Sequence, residues 1–229
     1  MSSFLHKIDL SRVLQPEEVD EELARTLISI AREAIEYYLE HEESPPEPRD
    51  LIERNPLLGK MAAVFITLEK ISGSSRELRG CIGFVLPYLP LWRAVIESAI
   101  SSAFKDPRFE PLEKSELENI AIELSVLSIS RRVEDPLREI MIGRDGLYIV
   151  KKLFSGILLP QVPVDYCWDV ETFLAETCIK AGLEPTCWLD RDTEIYRIPG
   201  RIYAEESPRG LVRMRDLAKE YAEKCKNLI

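Results

Sequence analysis

Twice along this chain the hydrophobic period changes in the same order: two strand-like runs, a helix-like run, then a further strand. The first series starts at Met61 with MAAVFITLE, turns through ISGSS and returns as ELRGCIGFV, the pattern of a β-hairpin. Trp92, Val95, Ile96, Ala99, Ile100 and Ala103 then recur at helical spacing until Pro107 closes the run. The segment NIAIELSVLSISRRV follows as a strand with Ile120, Ile122, Leu124, Val126 and Ile129 available for burial. In the second series GLYIVKK and LFSGILLP form the hairpin and VETFLAETCIKAGL the helix, which Gly182 closes in a left-handed cap. TEIYRIPGRIYAE is the last strand. This order predicts an α+β fold of mostly antiparallel sheets with flanking helices, built by internal duplication of a β-β-α-β unit.

The flanks carry helices of their own. From Pro16 to Tyr38, Val19, Leu23, Leu27, Ile30, Ala31 and Ala34 share one face. Pro16 stands where a first-turn proline belongs, ahead of acids that favour the positive end of the helix dipole. Residues 41–60 hold SPPEPRD and are expected to be a proline-rich connector. After Ser207 and Pro208 the stripe Leu211, Met214, Leu217, Ala218, Tyr221, Cys225 and Leu228 predicts a terminal helix docked on the core. The whole of 1–229 is expected to form one domain, divisible into two subdomains.

Composition narrows the function classes. A formal charge of −10 with both signs spread along the chain describes a solvated acidic surface, which disfavours nucleic acid as a partner. No run is long and apolar enough to suggest a membrane span, and MSSFLHKIDLSRVL lacks the core of a secretory leader, so a cytoplasmic protein without a membrane partner is expected. Five widely spaced cysteines without a CxxC pair predict neither a disulfide framework nor a zinc site. His6 and His41 are the only imidazoles, which leaves no basis for a histidine metal centre. Few Gln and Asn among abundant Lys, Arg and Glu tilt the composition towards a thermophile. GxGxxG, Walker, HExxH and GxSxG motifs are absent, and no cofactor is expected.

Three stretches carry residues with chemical potential. In Leu78-Arg79-Gly80-Cys81-Ile82-Gly83, strict strand alternation puts Arg79, Cys81 and Gly83 on one face and Leu78, Gly80 and Ile82 on the other. Arg79 and Cys81 would then lie about 7 Å apart, near enough for the guanidinium to favour a thiolate. Asp106-Pro107-Arg108-Phe109 is a proline-fixed loop bearing an acid and a base, fit to edge a pocket or to form a structural ion pair. Gln161, in Leu158-Leu159-Pro160-Gln161-Val162-Pro163, is a lone amide among apolar residues that could orient a ligand. Asp169 reads as a helix N-cap, and Trp168 and Trp188 as core aromatics.

The run LRGCIG at Leu78 to Gly83 resembles the signature of the AMME chromosomal region gene 1 family. DPRF (106–109), Ser125 to Ser128, GILLPQV (156–162) and Lys180-Ala181-Gly182-Leu183 extend the likeness in the right order. The resemblance, which spans roughly Glu17 to Glu206, implies an α+β fold with an internal duplication and a domain whose activity is unassigned. It also implies a pathway link to Memo-type and radical S-adenosylmethionine proteins. Arg79, Cys81, Arg108 and Gln161 lie in its motifs, without a catalytic role attached to them.

Two functions lead this reading, and a third follows them. One is a regulatory or protein-interaction module of basic cellular metabolism, with an unreactive Cys81. The other is an enzyme or small-ligand binder that uses Cys81 as its catalytic thiol and Arg79, Gly80, Asp106, Arg108 and Gln161 to hold a ligand. A nucleic-acid module, third, would need Arg131, Arg132, Arg138, Lys151 and Lys152 on one face.

Overall fold

A computed structural model describes residues 9–73 and 75–226 of the chain. His6 and Leu228 lie outside the described residues. The elements in chain order are α1 (Glu21–His41), α2 (Arg49–Arg54), β1 (Met61–Ser72), β2 (Ser75–Gly83), β3 (Leu89–Pro90), α3 (Leu91–Phe104) and β4 (Ile120–Leu127). They continue as β5 (Arg131–Arg132), α4 (Pro136–Glu139), β6 (Asp145–Lys151), β7 (Phe154–Leu158), α5 (Val162–Asp165) and α6 (Val170–Lys180), then β8 (Glu194–Glu205), β9 (Val212–Met214) and α7 (Leu217–Lys224). Two compact units divide these elements: the first holds residues 1–127 and 202–214, the second 128–201 and 215–229.

In the first unit β1 is flanked by β2 on one side and β4 on the other, both antiparallel, and the end of β8 pairs antiparallel with β9. Val64, Ile66 and Leu68 of β1 and Ile120, Ile122, Leu124 and Val126 of β4 alternate onto one face. There they meet Leu27, Ala31 and Ile35 of α1 and Val95, Ala99 and Ile100 of α3 in a single apolar core. Each fully buried Leu or Ile of that core contributes about 1.5–3 kcal/mol. Asp20 caps α1 by accepting from the Leu23 N–H, so Pro16 opens a separate 3-10 turn and not the helix itself. The stretch 41–60 folds partly into α2 and a further 3-10 turn at Pro56–Gly59, because Asn55 can accept from the Leu57 N–H.

The second unit repeats the arrangement: β6 lies between β7 and the first part of β8, again antiparallel, with α6 covering Leu147 and Ile149 through Phe173, Leu174 and Cys178. The duplicated β-β-α-β order is therefore present as β1-β2-α3-β4 and β6-β7-α6-β8. Asp169 caps α6 at the Thr172 N–H, and Gly182, at φ +74°, closes it.

Two expectations fail in the second half. Cys167–Cys225 and Cys178–Cys187 are disulfides, with Cα atoms 5.5 and 5.9 Å apart. Chain folding brings together cysteines that sequence spacing keeps apart. The expected terminal helix is also shorter, starting only after its Asp216 cap, because Val212–Met214 pairs with β8 as a strand. No helix among the described residues is long and apolar enough to cross a membrane.

Candidate functional site

LRGCIG occupies the second half of β2, the outer strand of the first unit's β2-β1-β4 order. Its register departs from simple alternation. Leu78 is opposite Glu69 and Gly80 is opposite Leu68, so two adjacent residues of β1 face partners that are two apart, and Arg79 forms a β-bulge. Neighbouring residues of β1 point to opposite faces. Leu78 therefore joins the face of Cys81, while Gly80 and Ile82 turn towards α3. The bulge overturns the expected alternation: Leu78 no longer shares a face with Gly80 and Ile82, and Arg79 has no residue opposite it on β1.

The cause of this geometry lies in α3. A Cβ on Gly80 would sit 2.1 Å from the Ser102 carbonyl oxygen, so the helix backbone rests where any other residue would place its side chain. From the same turn, the Ser102 hydroxyl accepts from the Ile82 N–H at 2.8 Å and donates to the Ile66 carbonyl at 2.7 Å. Ile66 and Ile82 are cross-strand partners, so this serine is spliced into the ladder between them.

On the strand's other edge stands DPRF. It is a turn in which the Phe109 N–H donates to the Asp106 carbonyl, with Asp and Pro at its first two positions. The Asp106 carboxylate, 4% exposed, accepts from the Cys81 N–H at 2.9 Å and binds Arg108 through Nε at 2.9 Å and Nη2 at 2.6 Å. Arg108 Nη2 reaches back to the Cys81 carbonyl at 3.4 Å. A strand residue directs its N–H and C=O to the same side. The Asp106–Arg108 pair thus takes the place at Cys81 that a further strand would occupy. Burial raises the Asp106 pKa, but hydrogen bonds from Arg108 and from the Cys81 N–H outweigh it and hold the carboxyl at about 2.

Arg79 turns to Glu116 instead of the thiol, with Nε and Nη2 each 2.9 Å from a carboxylate oxygen. The Arg79 hydrogen bonds bring Glu116 to about 2 against the effect of burial, with Lys70 3.7 Å away. The Phe109 ring lies near both guanidiniums, 5.8 Å from Arg79 and 5.4 Å from Arg108.

Cys81 is the one free cysteine, half-buried, and its thiol receives the Thr67 hydroxyl at 3.3 Å. Burial pushes its pKa up, the Thr67 bond and Arg108 act against this, and Glu123 and Asp106 add to the rise. Arg79 is thus engaged by Glu116 and is not among the groups that shift the Cys81 thiol. Cys81, Thr67 and Glu123 are opposite one another on β2, β1 and β4, a polar row on the face away from α3. Thr67 and the 3% exposed Glu123 escaped the sequence reading; the signal was a carboxylate inside the apolar run IAIELSVL. Glu116 was missed because its partner is 37 residues away.

The first unit thus assembles Arg79, Gly80, Cys81, Asp106 and Arg108. Gln161 belongs to the second unit, buried in the turn ahead of α5. His41 is exposed in the last turn of α1 against the Tyr37 ring.

These features define an α+β protein of two β-β-α-β units in which a glycine-bearing outer strand is closed by an acid–arginine turn. Comparison with known proteins gives the particular family. A profile of the AMMECR1 family matches residues 28–203, and the chain belongs to that family. It is 46% identical over 205 residues to a protein of Pyrococcus abyssi, covering 87% of this chain and 98% of the relative. It is 47% identical over 205 residues to one of Saccharolobus solfataricus, covering 86% and 88%. The crystal structure of an uncharacterized protein from Pyrococcus horikoshii superposes with a TM-score of 0.81 at 44% identity, covering 86% of this chain and 98% of that one. These relatives come from thermophilic archaea.

Proposed function

We propose that this chain is a regulatory or protein-interaction module without catalysis of its own, in which LRGCIG and DPRF build and close an outer strand. The observation that supports this reading is the internal pairing of every motif charge. Arg79 is held bidentate by Glu116 and Arg108 by Asp106, and the thiol beside them has its pKa raised. A nucleophilic cysteine needs the opposite shift. A place in basic metabolism, and the link to Memo-type and radical S-adenosylmethionine proteins, rest on the family resemblance alone.

The alternative, an enzyme or small-ligand site using Cys81 with Arg79, requires a thiolate that Arg79 stabilises. Nucleic-acid binding finds less support still. Of the five candidate cations, Arg132 lies 3.5 Å from Glu194, Arg138 3.3 Å from Asp135, Lys151 2.5 Å from Asp190 and Lys152 3.8 Å from Asp192.

Alkylation of Cys81 across pH, on the folded and oxidised chain, decides between the first two. We expect slow reaction at neutral pH, an apparent pKa above that of a free cysteine, and no change on Arg79→Ala. Rapid alkylation at pH 7 that disappears in Arg79→Ala would reinstate the ligand site.

A further inference from the structure

The second unit contains an outer strand equivalent to β2, but without a closing pair. β7 ends the order β8-β6-β7 and pairs only with β6, from Leu147 opposite Leu158 to Lys151 opposite Phe154. Among the described residues, none of Phe154 to Leu158 has a hydrogen-bond partner on the side away from β6. None of its five residues carries a charge, whereas β2 bears Arg76, Glu77 and Arg79. Such charges are a usual protection of an open strand. Leu153 at the hairpin tip is 99% exposed and Phe154 53%.

Geometry limits what can dock there. A Cβ on Gly156 would lie 2.5 Å from the Ala181 nitrogen, so the chain leaving α6 rests directly on β7. A second copy that paired its own β7 in register about Gly156 would bring its α6 end within about 5 Å, the strand spacing. Packed helices need roughly 8–10 Å. A bare extended segment meets no such obstacle. Five residues of edge, about 17 Å, also fall short of the roughly 1,000 Å² of a stable interface, which fits a short segment held weakly. Lys180 is exposed beside Gly156 without an ion pair among the described residues.

We propose that the outer edge of β7 takes an extended segment of a partner protein as an added strand, apolar beside Phe154, Ile157 and Leu158 and acidic where it meets Lys180. Backbone hydrogen bonds supply the affinity and the alternating side chains the selectivity. The proposal rests on the interaction-module reading but not on the state of Cys81, so alkylation and docking can fail separately.

The test is to pan a random-heptapeptide display library against the full oxidised chain, and to resynthesise the enriched peptides with and without N-methylation of alternate backbone amides. We expect apolar peptides with an acidic end to bind in the micromolar to millimolar range. N-methylation on the docking edge should abolish binding. Ile157→Lys should weaken it at least tenfold and Lys180→Glu several-fold, both with unchanged thermal unfolding. Peptides that tolerate N-methylation and Ile157→Lys, or no enrichment at all, overturn the proposal. So does a concentration-dependent dimer in sedimentation that Ile157→Lys dissolves, which would make a second copy the occupant.

Discussion

β2 in the first unit ends against the Asp106–Arg108 pair, whereas its counterpart β7 in the second unit meets no such pair among the described residues. The glycine that admits the following helix is kept in both, Gly80 under Ser102 and Gly156 under Ala181. Cross-linking differs as well. The first unit has the free thiol and a buried Arg32–Glu205 ion pair, while both disulfides lie in the second. Glu184, which follows α6 much as Asp106 follows α3, is exposed and leaves the strand alone. The shared glycine is a demand of the β-β-α-β fold itself; the closure of the edge and the covalent staples are additions made to one copy each.

Reduction should break this comparison most strongly. Closing 58 residues between Cys167 and Cys225 contributes about 4 kcal/mol by loop entropy, and the nine-residue separation of Cys178 and Cys187 about 2.5 kcal/mol. Under a phosphine reductant, hydrogen exchange should accelerate across Asp145–Lys180 and Leu217–Lys224 and stay slow in α1, α3 and β1. Equal acceleration in both units would mean that they do not differ in what secures them.

Next come the two glycines. Gly80→Ala drives a methyl into a helix carbonyl and Gly156→Ala into a backbone nitrogen at slightly greater distance. Each should cost between about 1 and 3 kcal/mol, Gly80→Ala the more, measured as denaturant midpoints of the oxidised chain. If Gly156→Ala proves neutral, the correspondence between the copies is one of topology without shared packing.

Element order was legible because a period of two or 3.6 is imposed on each segment by its own backbone. The same locality explains what was hidden. The bulge at Arg79 exists because Gly80 must lie under Ser102, a residue of the next helix, and nothing in LRGCIG by itself announces it. Glu116 became the partner of Arg79 only through the turn after DPRF. Cysteine spacing carries no pairing information until α6 and α7 are placed. Leu211 to Met214 has helical spacing as well as strand propensity, and the free side of β8 decided for the strand. Asp169 and Gly182, whose roles are settled within a few residues of themselves, were read correctly.

Acid should separate the units as well. Asp106 and Glu116 both sit at about 2 in the fold, below the unfolded range of about 4. A carboxyl with a depressed folded pKa adds stability that is fully present above its unfolded pKa and lost as pH falls through the folded one. Each therefore contributes on the order of 2 kcal/mol at neutral pH, withdrawn between about pH 4.5 and pH 2, and both belong to the first unit. Thermal unfolding followed over that window should fall steeply for the native chain and less steeply for Asp106→Asn or Glu116→Gln. Local exchange should localise the loss to β2. Because Asp106 also accepts from the Cys81 N–H, Asp106→Ala, which removes that acceptor, should open the β2 edge and make it resemble β7. A variant whose β2 amides remain protected at neutral pH would show that the turn, and not its carboxylate, does the closing.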